Sequence, residues 1–299
     1  MAFVSEQPAS RSARRGAHAD PDDDDDIDAS ASDLLADLGV VLVAGVGLLL
    51  AARTSATALL IVIAVLQAAL AFAWVFGTRM PGRVGGLLIA AAAAGGSDVA
   101  VSLWPHSRLG TLLIVFALAV PLMFVHQLSR SAARVRVSES LGGIAILVGA
   151  EAALPALLQL RHELVPASTG GHIVSGVVAA AAGALIVGYL VDLVMPAPRI
   201  DVAVPRGLLA VVASAGLGGS IGHLLLVDGT HFQGARGAFI GAAIGALIAL
   251  LAVAAAFVEF STSASGGGVA GRFRPVLSGL LPLSLIAPVA FLLCLAVRA

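Results

Sequence analysis

Residues 56–76 read ATALLIVIAVLQAALAFAWVF, a run without one Asp, Glu, Lys or Arg. An α-helix needs about twenty apolar residues to cross the hydrocarbon core of a bilayer. Nothing in that core but protein can satisfy backbone N–H and C=O groups, so a segment of this kind is a spanning helix. A β-barrel would show segments of about ten residues with alternating polarity. The sequence has none.

Outward from this stretch the pattern repeats. Apolar runs separated by short polar loops predict spans near 34–51, 56–76, 84–104, 109–128, 138–160, 172–195, 207–227, 236–259 and 275–297. The expected fold is all-α, a polytopic transmembrane helix bundle of about nine spans. The first span is the shortest, and the fifth and ninth contain Pro155, Pro282 and Pro288. Counts of eight and ten therefore stay open.

Composition agrees. Of 299 residues, 59% are apolar and 12% charged, and the mean hydropathy is +1.01. Soluble domains carry roughly 25% charged residues. A chain this poor in charge needs hydrocarbon as solvent. All 17 basic residues are Arg, and the abundance of Ala, Gly, Val and Arg suggests a bacterial, GC-rich source.

The net charge of -1 hides an asymmetry, because ten of the 18 acidic residues lie at or before Asp37. Residues 1–33, with the run Asp22–Asp26, hold no apolar core and read as a disordered acidic tail. Residues 34–299 form the transmembrane domain. The tail lacks the apolar centre of a cleavable signal peptide, so the first span is expected to serve as an uncleaved signal and anchor.

Arginines set the expected orientation. With the N-terminus in the cytoplasm, inside segments hold twelve arginines and outside segments five, and every inside segment holds at least two. A multi-pass plasma-membrane protein with a cytoplasmic N-terminus is expected.

Small residues recur four apart: Gly237, Gly241 and Gly245 in the eighth span, Ser214, Gly218 and Gly222 in the seventh. Such ridges let helix backbones approach closely. They predict a tight bundle and a homo-oligomer through Gly237, Gly241 and Gly245.

Ionisable groups inside a bilayer are costly and mark candidate sites. The candidates taken from in or at the ends of spans are Asp98, Glu151, Asp192 and Glu259. Glu151 lies at mid-depth, four residues before Pro155. It reads either as a proton or cation relay or as a hydrogen-bonded structural carboxyl. Asp98 carries the same two readings nearer an interface. Asp192 and Glu259 lie near Arg199, Arg206, Arg272 and Arg274, so they either pair with these arginines or line a polar cavity. The arginines are candidate anion contacts. His126 and His223 stand alone, without metal-ligand spacing. Cys294 reads as a packed apolar side chain and excludes an intramolecular disulfide.

No P-loop, no dinucleotide-binding glycine fingerprint and no Gly-x-Ser-x-Gly elbow is present. Gly266-Gly267-Gly268 reads as a flexible loop. No cofactor, metal or nucleic-acid partner is expected. Membrane lipid is the expected partner.

Four places carry a family resemblance. Trp104-Pro105 follows a glycine-rich third span. Gly188-Tyr189-Leu190-Val191 is followed by Ala197-Pro198-Arg199-Ile200 and Pro205-Arg206-Gly207. Val258-Glu259 ends the eighth span, and Ser278-Gly279-Leu280-Leu281-Pro282 begins the ninth. This layout resembles the phosphatidate cytidylyltransferases, membrane enzymes that make CDP-diacylglycerol from CTP and phosphatidic acid. The departures fall on the chemistry. The family's acidic residue before Gly-Tyr is replaced by the run Leu185-Ile186-Val187. Its Lys-Lys pair is lost, with Arg206 nearby. Its Asp in Gly-Asp-x-x-Glu-Ser becomes alanine (Ala255 or Ala256). Its His-Gly-Gly and Asp-Arg are absent, with Arg272-Phe273-Arg274 in that region.

Nucleotidyl transfer needs carboxylates to hold metal and cations to neutralise phosphate. With one matched carboxylate, Glu259, the resemblance implies a non-catalytic relative that binds lipid or a partner. Two alternatives stand beside it. One is a transporter or permease component using Glu151. The other is a divergent active cytidylyltransferase, which requires Asp192, Glu259 and Arg206 to converge.

Overall fold

The computed structural model describes residues 21–78, 82–107, 109–130, 137–164, 167–195, 197–201, 204–228, 232, 234–263 and 271–298. Side chains are described from residue 34 onward, except at 167, 201, 204–206 and 259–263. The helices are α1 (Pro21–Thr54), α2 (Ala56–Gly77), α3 (Arg83–Leu103), α4 (Gly110–Ser129), α5 (Val137–Ala153), α6 (Ala156–Glu163), α7 (Ala167–Val194), α8 (Leu208–Leu225), α9 (Gly234–Ser263) and α10 (Arg274–Arg298). A two-stranded antiparallel ribbon, β1 (Arg199–Asp201) and β2 (Val204–Gly207), joins α7 to α8.

Among the described residues, nine segments are long and apolar enough to cross a membrane. The chain is a multi-pass, all-α membrane protein. Every segment overlaps an expected span, and two differences have physical causes. The fifth span is broken: α5 stops at Ala153, a turn takes up Leu154 and Pro155, and α6 resumes at Ala156. Pro155 has no N–H to continue the ladder. The first helix begins at Pro21 rather than near 34, so Asp22–Asp26 fall in its first turns. Proline suits a first helical position, and acidic residues suit a helix N-terminus. Residues 1–20 of the expected tail lie outside the described residues.

Side-chain exposure fits hydrocarbon surroundings. Helix α4 exposes Leu113, Ile114, Leu118, Phe124 and Leu128, each more than half accessible. Such a face is costly in water and at home against lipid tails. Helix α10 is the central post. It packs against α1, α2, α5, α6, α7 and α9, and buries Leu277 through Leu283, Phe291 and Cys294. Cys294 is thus a packed core side chain, as expected.

The most extensive helix pairing joins α8 to α9. The two expected ridges meet each other there. A Cβ placed on Gly241 would strike the carbonyl of Gly218, one on Gly237 the carbonyl of Gly222, and one on Gly245 the carbonyl of Ser214. Gly237, Gly241 and Gly245 therefore line this seam. Their close approach is made within one chain, because the complementary ridge lies on the preceding helix.

Polar contacts divide the bundle into two faces. On the first, the middle of α1 and the starts of α8 and α10 meet the end of α7. Ser278 Oγ donates to Asp37 Oδ1 at 2.8 Å, Tyr189 OH donates to Ser278 O at 2.8 Å, and Gly207 N donates to Asp192 Oδ1 at 2.8 Å. On the second, the ends of α1, α3, α6 and α10 meet the start of α7. Arg161 donates to Ala52 O, Gln159 Nε2 to Pro105 O at 2.9 Å, and Arg298 Nη1 to Glu163 O at 3.3 Å.

Candidate functional site

The break in the fifth span builds the site. In an unbroken helix the N–H of residue 155 would donate to the carbonyl of Glu151. Pro155 cannot, and a bare carbonyl in the bilayer interior is costly. Gln67 supplies the missing donor. Its Nε2 reaches Glu151 O at 2.9 Å from the middle of α2. The amide is 2% exposed, and it lies close to Asp98 of α3. One carboxamide therefore ties the second span to the fifth, beside the third.

The side chain of Glu151 is left in this junction. It is 0% exposed, and neither carboxyl oxygen has a hydrogen-bond partner among the described residues. Asp98 is partly buried, with Oδ1 likewise unpartnered. The two carboxyl groups are close enough for their charges to interact. Two like charges in a low-dielectric interior repel strongly. They stay together when a proton or a cation is held on or between them.

No family model, no curated protein and no solved structure matches this chain. Its chemistry is therefore read from its own geometry.

The remaining candidates lie elsewhere. Asp192, at the end of α7, is 6% exposed and accepts from Gly207 N at the start of α8. Its carboxylate therefore anchors the ribbon that leads into the next span. A space lined by Gly188, Tyr189, Asp192, Ala210, Ser214 and Ala252 lies beside it. Arg199 and Arg272 are exposed. Arg274 is taken by Asp37, with Nη2 to Oδ2 at 3.9 Å. The side chains of Arg206 and Glu259 lie outside the described residues. Among the described residues no three His, Cys, Asp or Glu side chains are grouped to hold a metal ion.

Sequence reasoning paired Asp98 with nothing and missed Gln67 altogether. The signal was available, since Gln67 is the one strongly polar residue in the quoted run. Asp37 sits inside the first span, 0% exposed.

Proposed function

We propose that this chain is a transporter or permease component of the plasma membrane, in which Glu151 and Asp98 exchange a proton or a monovalent cation. One observation carries the reading. A fully buried carboxyl without a hydrogen-bond partner among the described residues sits at a helix break in mid-span, within electrostatic reach of a second carboxyl. Broken spanning helices with carboxyls at mid-depth are a common way to build ion and substrate sites. A structural carboxyl would instead have its oxygens satisfied. The arginine bias between loops supports a cytoplasmic N-terminus.

The test is proton movement in liposomes. Purified protein is reconstituted around a pH-sensitive dye, and a membrane potential is imposed with and without Na⁺ or K⁺ outside. Wild type is expected to move protons, or to exchange them for the cation. Glu151→Gln should lose this movement and Asp98→Asn should weaken it. Equal traces for wild type, both variants and empty liposomes would overturn the proposal.

A second reading is a lipid-binding relative of the cytidylyltransferases. It is favoured by a contact between two segments that carry the resemblance, where Tyr189 OH donates to Ser278 O. Mixed micelles with labelled CTP, phosphatidic acid and Mg²⁺ separate its forms. Lipid-dependent incorporation lost in Glu259→Ala marks an active enzyme. No incorporation leaves a lipid-binding bundle.

A further inference from the structure

On the second face, α1 ends, α6 ends and α7 begins around a cleft of about 340 Å³ lined by Arg53, Thr54, Arg161, Ser168, Gly171 and His172. Its lining contains two guanidinium groups, one imidazole, two hydroxyls and no carboxylate. We infer that this cleft binds a phosphate-class oxyanion, as a soluble anion or as the headgroup of an anionic lipid.

The arginines carry the argument. Neither is paired with a carboxylate among the described residues. Arg53 uses Nε to reach Ser175 Oγ at 3.2 Å, which fixes the stem and leaves its two terminal nitrogens for the cleft. Arg161 uses Nη1 to cap the carbonyl of Ala52 at the end of α1, which leaves Nε and Nη2. A guanidinium presents its donors in a planar fork that matches two oxygens of a phosphate. Two forks from different helices make a clamp that one surface arginine cannot.

The surroundings favour an anion as well. Helix α7 starts at Ala167, so its first unpaired N–H groups open beside Ser168. Gly171 makes room for the Arg161 group, because a Cβ there would meet both the guanidinium and Ala52 O. The cleft volume suits a small ligand or a headgroup. Arg53, Ser168 and His172 are exposed and Arg161 is half-buried, so the cleft is reachable without opening the bundle.

The experiment uses the full chain, with Arg53→Gln and Arg161→Lys. Arg53→Gln removes a fork from an exposed position, and Arg161→Lys keeps a donor for Ala52 O if loss of the cap would unfold the protein. In the first arm, the protein in neutral detergent is titrated with inorganic phosphate against chloride at equal ionic strength, and the thermal unfolding midpoint is followed. In the second arm, nanodiscs of phosphatidylglycerol or phosphatidylcholine are compared by the lipid retained after extraction. A phosphate-specific rise in the midpoint marks the soluble anion. Selective phosphatidylglycerol retention marks the headgroup. Either should weaken about tenfold or more in Arg53→Gln, as expected for losing a charge-assisted hydrogen bond. If wild type answers phosphate as it answers chloride, and retains no more phosphatidylglycerol than Arg53→Gln, the inference is overturned.

Discussion

Asp37 and Glu151 are buried to the same degree, both 0% exposed, and both lie on helices packed against α10. Their surroundings differ. Asp37 sits near the first face, where Ser278 Oγ donates to one oxygen and Arg274 pairs with the other. Glu151 sits at mid-span, where the neighbouring amide, Gln67, is spent on its backbone carbonyl. Burial alone therefore does not separate a partnered carboxylate from an unpartnered one. The separation comes from what the surrounding helices offer the oxygens. Asp37 joins α1 to α10. Glu151 is brought to a second carboxyl and left without a donor.

Removing partners should expose this contrast. The largest effect is expected from Arg274→Ala, which leaves the Asp37 carboxylate buried without its cation. A cost of about 3 kcal/mol is expected, the low end for a broken buried pair because the guanidinium is 38% exposed. Unfolding in mixed micelles measures it. Asp37→Asn should cost less, about 2 kcal/mol, since the amide oxygen still accepts from Ser278 but the charge is lost. Gln67→Leu should cost about 1–3 kcal/mol, because it strips the donor from the Glu151 carbonyl that Pro155 cannot serve. Glu151→Gln should have the smallest effect, about 1 kcal/mol or less, since no described hydrogen bond to its carboxyl is lost. If Glu151→Gln destabilised the protein as much as Asp37→Asn, the two carboxyls would be alike and the contrast would fail.

The spans were legible because a membrane demands length and apolarity, and both are visible in a single run such as 56–76. Pro155 announced the break in the fifth span. The glycine ridges announced close packing, but a four-residue period marks a face and not its neighbour, so the meeting of Gly241 with Gly218 was not legible. Glu151 and Asp98 were each legible as polar residues in apolar runs. Their meeting was not, because it depends on how the second, third and fifth spans pack. Gln67 was passed over because it carries no charge. Arg53 and Arg161 were absorbed into the loop arginines that set orientation, since nothing in the sequence says that the ends of the first and fifth spans share a cleft.

If Glu151 and Asp98 exchange a proton or cation inside the bundle, their protonation must change with pH or Na⁺. Infrared difference spectroscopy of the reconstituted protein reads this most directly, by following the protonated-carboxyl C=O stretch as pH or Na⁺ is changed. The account predicts a carboxyl band that changes in wild type, disappears in Glu151→Gln and shifts in Asp98→Asn, with no such loss in Asp37→Asn. A spectrum without any carboxyl change across the pH and sodium range, or a change that survives in Glu151→Gln, would contradict it.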